Sequence, residues 1–570
     1  MPEVPRAVPR MKIDVPAEVA RASSALAQKS AALQGAPLAE VDAALLSAYA
    51  RACLLEDCEA PSAECQAAAE SLERLARRVT SHEDADEAAP RALALERAGA
   101  VWRACGHQAK AEALSLEAAE RWVEAADDVR ERQKEYLLRA CDSFLGAGRF
   151  DRAAGSYARA VALGEDSFSQ ARLMQPSRGA HRVKLAVLLL AASREADARA
   201  VNDAFVRETT LRFERKVTRA ELPLAFDGAQ ALAEAHALAG NKAGERQARV
   251  GAVDLALALV KREARDLEAG EAGEGALLFA DAAVTEALRT RDDALCVETY
   301  GRAARALLEA ALRLMEGGAP LEKRADGVRL LFDAGRRFQH LSNWPSAEEC
   351  FSRAYEVSPK YSRADRRPLD EVAFALFLLK GPHADPDRAE THLKNAAGLA
   401  KAIIQAAGVH EDHPSARVRQ LILREAFYRR KGDIKRHREV VEILHVAAGE
   451  GAAEALERAS ALSKAGAWAG ARESLDEAVG FLERAAADAA LLRDALLARS
   501  LAFHLDPKGE RPESASEYFA RRGAPFDPKA LGFDWRLIER ALLEMDPPAE
   551  FTTFSDALNF IRGRAPKPPP

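Results

Sequence analysis

Between Leu331 and Pro359 the chain carries a spacing of small and large residues that suits one structure best, a pair of helices packed at close range. Leu331, Ala334, Gly335, Phe338, Ala347, Phe351, Ala354 and Pro359 follow the order Leu-x2-Ala-Gly-x2-Phe-x8-Ala-x3-Phe-x2-Ala-x4-Pro. The small residues let two antiparallel helices approach, and the Leu or aromatic partner fills the hole opposite. Pro345 suits the opening of the second helix, where a missing N–H breaks no bond.

Weaker copies flank this segment. Leu137, Ala140, Cys141, Phe144, Gly148, Ala153, Tyr157 and Ala160 form one, Leu95, Ala98, Gly99, Trp102, Gly106, Ala111 and Ala118 another, and Ala455, Ala459, Leu462, Gly466, Ala471, Leu475 and Ala478 a third. Degenerate copies surround Ala233 and Gly240, Tyr300 and Ala303, Ala389 and Leu393, and Tyr428 and Gly432. A turn glycine such as Gly148 can take positive φ and end the first helix without a Cβ penalty.

This spacing resembles the tetratricopeptide pattern. The resemblance implies an all-α, right-handed α-solenoid of helical hairpins, a fold that usually holds other proteins on its concave surface. The period is irregular, with 42 residues from Gly99 to Cys141, and the longer hairpins are similar to those of the soluble NSF attachment proteins. From that likeness only the architecture is carried over.

Composition agrees with helices. Ala, Leu, Glu and Arg dominate, while aromatics make up 6% of the 570 residues; the former are strong helix formers. The richness in Ala and Arg is associated with bacterial genomes of high GC content. Bases number 82 against 88 acids, a net charge of −6, which argues against wholesale binding to nucleic acid or an anionic membrane. The longest wholly apolar stretch, Leu185 to Ala192, falls far short of the roughly 20 residues that span a bilayer. No signal peptide is visible near Met1, and the expected compartment is the cytoplasm.

Five segments are expected. Residues 1–16 hold four prolines and read as a flexible leader; 17–90 as an N-terminal helical cap; 91–502 as the solenoid; 503–563 as a Pro- and aromatic-rich cap or docking module; 564–570 as a disordered tail. Phe519, Phe526, Phe533, Trp535, Phe551, Phe554 and Phe560 concentrate in the fourth. A solenoid must cover the apolar face of its last repeat, which is the plainer role for this segment.

Chemistry-bearing motifs are few. The seven cysteines are scattered and odd in number, which fits a reducing compartment. Cys141 and Cys350 fall where a hairpin wants a small apolar residue. Cys53 and Cys58 are five residues apart, about 500° around a helix, and so face different ways. His410, Glu411, Asp412 and His413 form the nearest metal-like group, but Gly408 and Pro414 mark it as a polar loop. No phosphate loop, nucleophile elbow or dinucleotide fingerprint is present. No enzyme activity, cofactor or metal is expected.

Two candidate binding surfaces remain. Positions that line the concave face in the clearest repeat carry Arg329, Phe332, Arg336 and Gln339. They do not match the Lys/Asn clamp of chaperone-binding tetratricopeptide proteins, so a co-chaperone role is not expected; Arg329 and Arg336 can still hold a carboxylate. Between Arg417 and Arg438, nine bases face only Glu425 and Asp433. Arg424, Arg429, Arg430, Lys431 and Lys435 could hold phosphates there while Tyr428 stacks on a base; alternatively Tyr428 is a packing aromatic and the bases a solvated face. The expected function is a non-catalytic scaffold or adaptor for protein partners, with an anion- or nucleic-acid-binding regulator as the alternative. Partner identity and oligomeric state are not legible.

Overall fold

A computed structural model of the chain describes residues 12–32, 38–80, 88–166, 178–213, 221–263, 272–315, 319–364, 366–406, 414–485, 488–523, 527–528, 531–544 and 551–563. The described residues form α-helices, one short 3-10 turn and no strand. In chain order the helices are α1 (Val15–Ala32), α2 (Leu38–Asp57), α3 (Ser62–Thr80), α4 (Ala88–Ala104), α5 (Gln108–Asp128), α6 (Gln133–Gly146), α7 (Phe150–Asp166), α8 (Arg178–Ala191) and α9 (Glu195–Phe213). There follow α10 (Leu222–Leu238), α11 (Lys242–Glu263), α12 (Ala272–Arg289), α13 (Asp293–Leu314), α14 (Leu321–His340), α15 (Trp344–Tyr361), α16 (Arg367–Leu378), α17 (Pro386–Ala406) and α18 (Pro414–Lys431). The last are α19 (Ile434–Lys464), α20 (Trp468–Arg484), α21 (Ala489–Leu505), α22 (Ala515–Gly523), α23 (Trp535–Glu544) and α24 (Phe554–Ile561).

The fold is an all-α solenoid of helical hairpins: helices adjacent in sequence pack against each other, as α4–α7 and α10–α14 do. The hairpins close as the sequence suggests. Gly106, Gly148, Gly240, Gly432 and Gly466 all take φ between 67° and 79°. At Gly148 the chain reverses with Arg149 N–H donating to Phe144 C=O at 2.8 Å, which satisfies an orphan carbonyl of α6. The clearest hairpin instead turns at Ser342, φ 56°, followed by Asn343, whose side chain accepts from Ser346 N–H, and by Pro345 in the first turn of α15.

Contacts divide the chain into two compact units, residues 1–176, 181–202 and 445–524 in the first and 177–180, 203–444 and 525–570 in the second. In unit 1 the core of α4–α8 alternates Trp122, Tyr136, Phe144 and Tyr157 with Ala92, Ala119, Ala140 and Ala153. Cys141 is wholly buried in it. The same unit joins distant parts of the sequence, since α21 packs on both α1 and α2. Asp57 is the polar centre of that contact, lying 2.7 Å from His504 Nε2 and accepting from Arg511 Nε at 2.9 Å. Burial pushes its carboxyl up, but the bonds from Arg511 and His504 outweigh burial and hold it below the usual range.

In unit 2 a charge is buried outright. Glu286 of α12 is fully inaccessible and accepts from Gln230 at 2.8 Å, Arg249 at 2.9 Å and Arg289 at 2.8 Å. Three donors on α10, α11 and α12 thus meet one carboxylate, the condition under which a buried charge is tolerated. Along the unit, α12 touches α14, α14 touches α16 and α16 touches α18. The first helices of successive hairpins therefore form one row, and its face builds the site.

The aromatic C-terminal segment lies on this row and its neighbour α13. Phe554 stacks on Tyr300 at 3.9 Å and 5° between planes, and Trp535 meets the same ring edge-on at 6.0 Å. Trp535, Ile538 and Phe554 are essentially inaccessible. Trp535 N–H donates to Thr285 Oγ1 at 3.1 Å, Arg536 pairs with Asp281, and Arg562 with Asp293. The Thr553–Asp556 capping box opens α24.

Candidate functional site

A cavity of about 700 Å³ opens on the first-helix row of unit 2. Arg329, Phe332, Arg336 and Gln339 all line it. Their i, i+3, i+7, i+10 spacing puts them on one stripe of α14, and the opposite stripe, Leu331, Ala334 and Phe338, is buried against the rest of the unit. The four differ in role. Phe332 is 4% exposed and meets Phe351 edge-on at 5.9 Å, and Gln339 is 8% exposed, so both belong to the floor. Arg336 is exposed and pairs with Asp333. Arg329 donates to Glu274 at 3.2 Å.

Other elements complete the walls. Arg363 and Arg366 come from the turn after α15, Leu369, Val372 and Leu376 from α16, Lys380 from just beyond α16, and Arg430 from α18. Glu539 and Leu542 of α23, with Phe551, add a wall from the far end of the sequence. Nothing local in the sequence marks Glu539 for this place. The hairpin spacing does not single out Arg363 or Arg366 either.

Burial reshapes the site's charges. Asp370 is 8% exposed and accepts from Ser358 Oγ at 2.6 Å; burial pushes its carboxyl up, and the two serine hydroxyls bonded to it only partly counter that. Burial also raises Asp326 and Glu539, the latter against the pull of Arg337 and Arg336. His340, bonded through Nδ1 to Tyr300 at 3.0 Å, is pushed down to about 3 by burial and then by Lys380 and neighbouring arginines. The imidazole is therefore neutral at ordinary pH. Cations thus stay charged around a set of acids for which ionisation is costly. Such an arrangement can grip anions by charge-assisted bonds beside an apolar floor.

The basic segment is placed differently. Phe427 and Tyr428 are 1% and 5% exposed and meet edge-on at 5.4 Å. Tyr428 is thus a packing aromatic, and its buried ring offers no face for a base. Glu390 of α17 pairs with Lys431 at 3.5 Å and Arg436 at 3.1 Å, and Glu425 with Arg429 at 3.7 Å. One acid from a neighbouring helix, Glu390, invisible in a local charge count, thus offsets part of the excess. Arg424 and Lys435 are exposed, and Arg430 alone of the segment reaches the cavity.

His410–His413 lie outside the described residues, as do residues 1–11 and 564–570. Among the described residues no group of His, Cys, Asp and Glu is placed to hold a metal, and no helix is long and apolar enough to cross a membrane.

No family model matches the chain, and no curated protein does. Three solved structures are similar in part. One is a monomeric IFIT1 mutant with m7Gppp-AAAA, 14% identical, covering 68% of this chain and 76% of its own, TM-score 0.20. Another is a circular tandem repeat protein with novel repeat topology, 14% identical, covering 90% and 99%, TM-score 0.16. The third is Naa15/Naa10 bound to HypK-THB, 15% identical, covering 87% and 80%, TM-score 0.22. Scores this low leave the fold to rest on the chain's own helices and contacts.

Proposed function

We propose that the chain is a non-catalytic scaffold or adaptor that holds a protein partner on the first-helix row of unit 2. One observation supports this above others: the four residues singled out on α14 share a cavity with four further cations and an apolar floor. That combination of fixed polar groups over apolar walls characterises binding sites. The first helices α12, α14, α16 and α18 lie side by side, so a partner can run on from the cavity along neighbouring helices.

The test is affinity purification of the full chain from its host, beside the double variant R329E/R336E. Proteins held at this site should be lost from the variant. If every co-purified protein stays in place, these arginines are not the site.

A further inference from the structure

Given the partner-holding role proposed above, on which this inference rests, the chemistry of the segment already seated on α12–α14 defines a class of partner. Trp535, Ile538 and Leu542 are 1%, 0% and 2% exposed, whereas Leu537 is 46% exposed. Their i, i+3, i+7 spacing makes one apolar stripe on α23, the arrangement by which an amphipathic helix lies in a groove. α23 packs on α12, and α24 packs on α13. The two helices are 10 and 8 residues long, short of the roughly 12–15 residues an isolated helix needs to persist in water. They are helical because they are docked.

The surface beneath them is complete without them. Tyr300 and His340 bond to each other at 3.0 Å, and Arg337 pairs with Asp281, all on α12–α14. Lifting α23 takes Arg536 away from Asp281 and leaves Arg337 there. The seated state, by contrast, carries polar faults. Arg337 Nη1 is buried with no hydrogen-bond partner among the described residues, and burial raises Glu539 of α23 against the pull of the same arginine. Water reaching this contact relieves both. Glu539, Leu542 and Phe551 also wall the cavity, so a partner held there abuts the segment and competes for the ground beneath it.

We propose that α12–α14 is a docking surface for an amphipathic helix of a protein partner, one with an aromatic and two aliphatic side chains at i, i+3 and i+7, and that α23 is the resident occupant such a helix displaces.

The probe is a fluorescein-labelled peptide with the sequence of residues 531–544, read by anisotropy. A tethered resident competes at roughly millimolar effective concentration, so the peptide should bind the W535A/I538A full chain about tenfold or more tightly than the unmodified chain. A peptide copy with L537Q/R540Q, which keeps the stripe, should bind as well as the original. A copy with W535A/L542A should lose about tenfold or more. Adding T285R, which places a charged side chain where Trp535 sits, to the W535A/I538A chain should abolish binding. On the unmodified chain, millimolar peptide should speed hydrogen exchange within 531–544, and the W535A/L542A copy should not; this reading holds even where the variant chain misfolds. Proteins shed by R329E/R336E should also be released by excess peptide.

No binding to W535A/I538A together with unaltered exchange in the unmodified chain overturns the proposal. So does equal binding to both chains, or indifference to T285R. A dimer of the unmodified chain that W535A/I538A dissociates makes a second copy's segment the occupant and overturns the assignment to a partner. If R329E/R336E sheds proteins that the peptide does not release, the protein-binding role stands and the displacement falls.

Discussion

Replacing Gly335 by Ala probes the close approach that defines the hairpin. A Cβ on Gly335 would lie 2.9 Å from Phe351 Cδ2 and Cε2 and 3.2 Å from Cys350 Cβ. Phe351 has little room to yield, because it is 1% exposed, stacks on Phe377 at 4.5 Å and meets Phe332 edge-on. Forcing a methyl into such a contact costs roughly 1–3 kcal/mol. Against this, Gly→Ala within a helix gains about 0.5–1 kcal/mol from backbone entropy and propensity. Gly155 in α7 and Gly398 in α17 supply the control, since a Cβ there meets nothing within 4 Å. G155A and G398A should therefore show the gain alone, and G335A a net loss, with a gap of about 1–3 kcal/mol between the two classes. F351L, which shortens the opposing side chain, should shrink the gap in the double variant. The assay is hydrogen exchange of peptides from each hairpin, because local opening is a better-defined quantity than global unfolding in a chain of this size. If G335A protects α14 and α15 as G155A protects α7, the helices are not in intimate contact and the reasoning fails.

Other perturbations test separate parts of the structure. E286A strips the common acceptor from Arg249 and should destabilise unit 2 by about 3–5 kcal/mol, with E286Q milder; thermal melts and exchange in α10–α12 read both. His340 is neutral in the fold, with a pKa near 3 against 6.5 unfolded; the unfolded chain binds the extra proton, so this contribution is intact above pH 6.5 and lost as pH falls toward 3. By pH 5 the loss should be about 2 kcal/mol, and urea titrations of H340N should show a correspondingly flatter acid limb. W535A removes a ring packed on Tyr300, Phe551 and Phe554 and should cost about 3–5 kcal/mol locally, seen as faster proteolysis within 531–563 while unit 1 melts unchanged.

Much of the fold was legible because hairpin packing is local. Ala334, Gly335, Phe338, Ala347, Phe351 and Ala354 are buried as their spacing implies, and the turn glycines adopt the conformation that selects them. Turns at Ser193, Arg291 and Ser342 take the same positive φ without glycine, so they carry no compositional mark. Long-range pairings left no trace either. Asp57 with His504 and Arg511, and Trp535 with Thr285, join residues far apart in sequence, and neither pairing repeats with any period. For the site, one helix stripe on α14 could be read from spacing, whereas Glu539 and Phe551 enter the cavity only through the way α23 and the chain after it fold back. Local counting likewise overstated the charge of 417–438, because Glu390 reaches it from α17.

The account depends on the first-helix row of unit 2 being the surface that partners touch. Photocrosslinking with p-benzoylphenylalanine at Val372, on the cavity wall, and at Glu356, exposed on α15, addresses this in the living host. Adducts should form at position 372, disappear with R329E/R336E, and be absent at position 356. Adducts at 356 alone, or adducts at 372 that persist in the double variant, would contradict it.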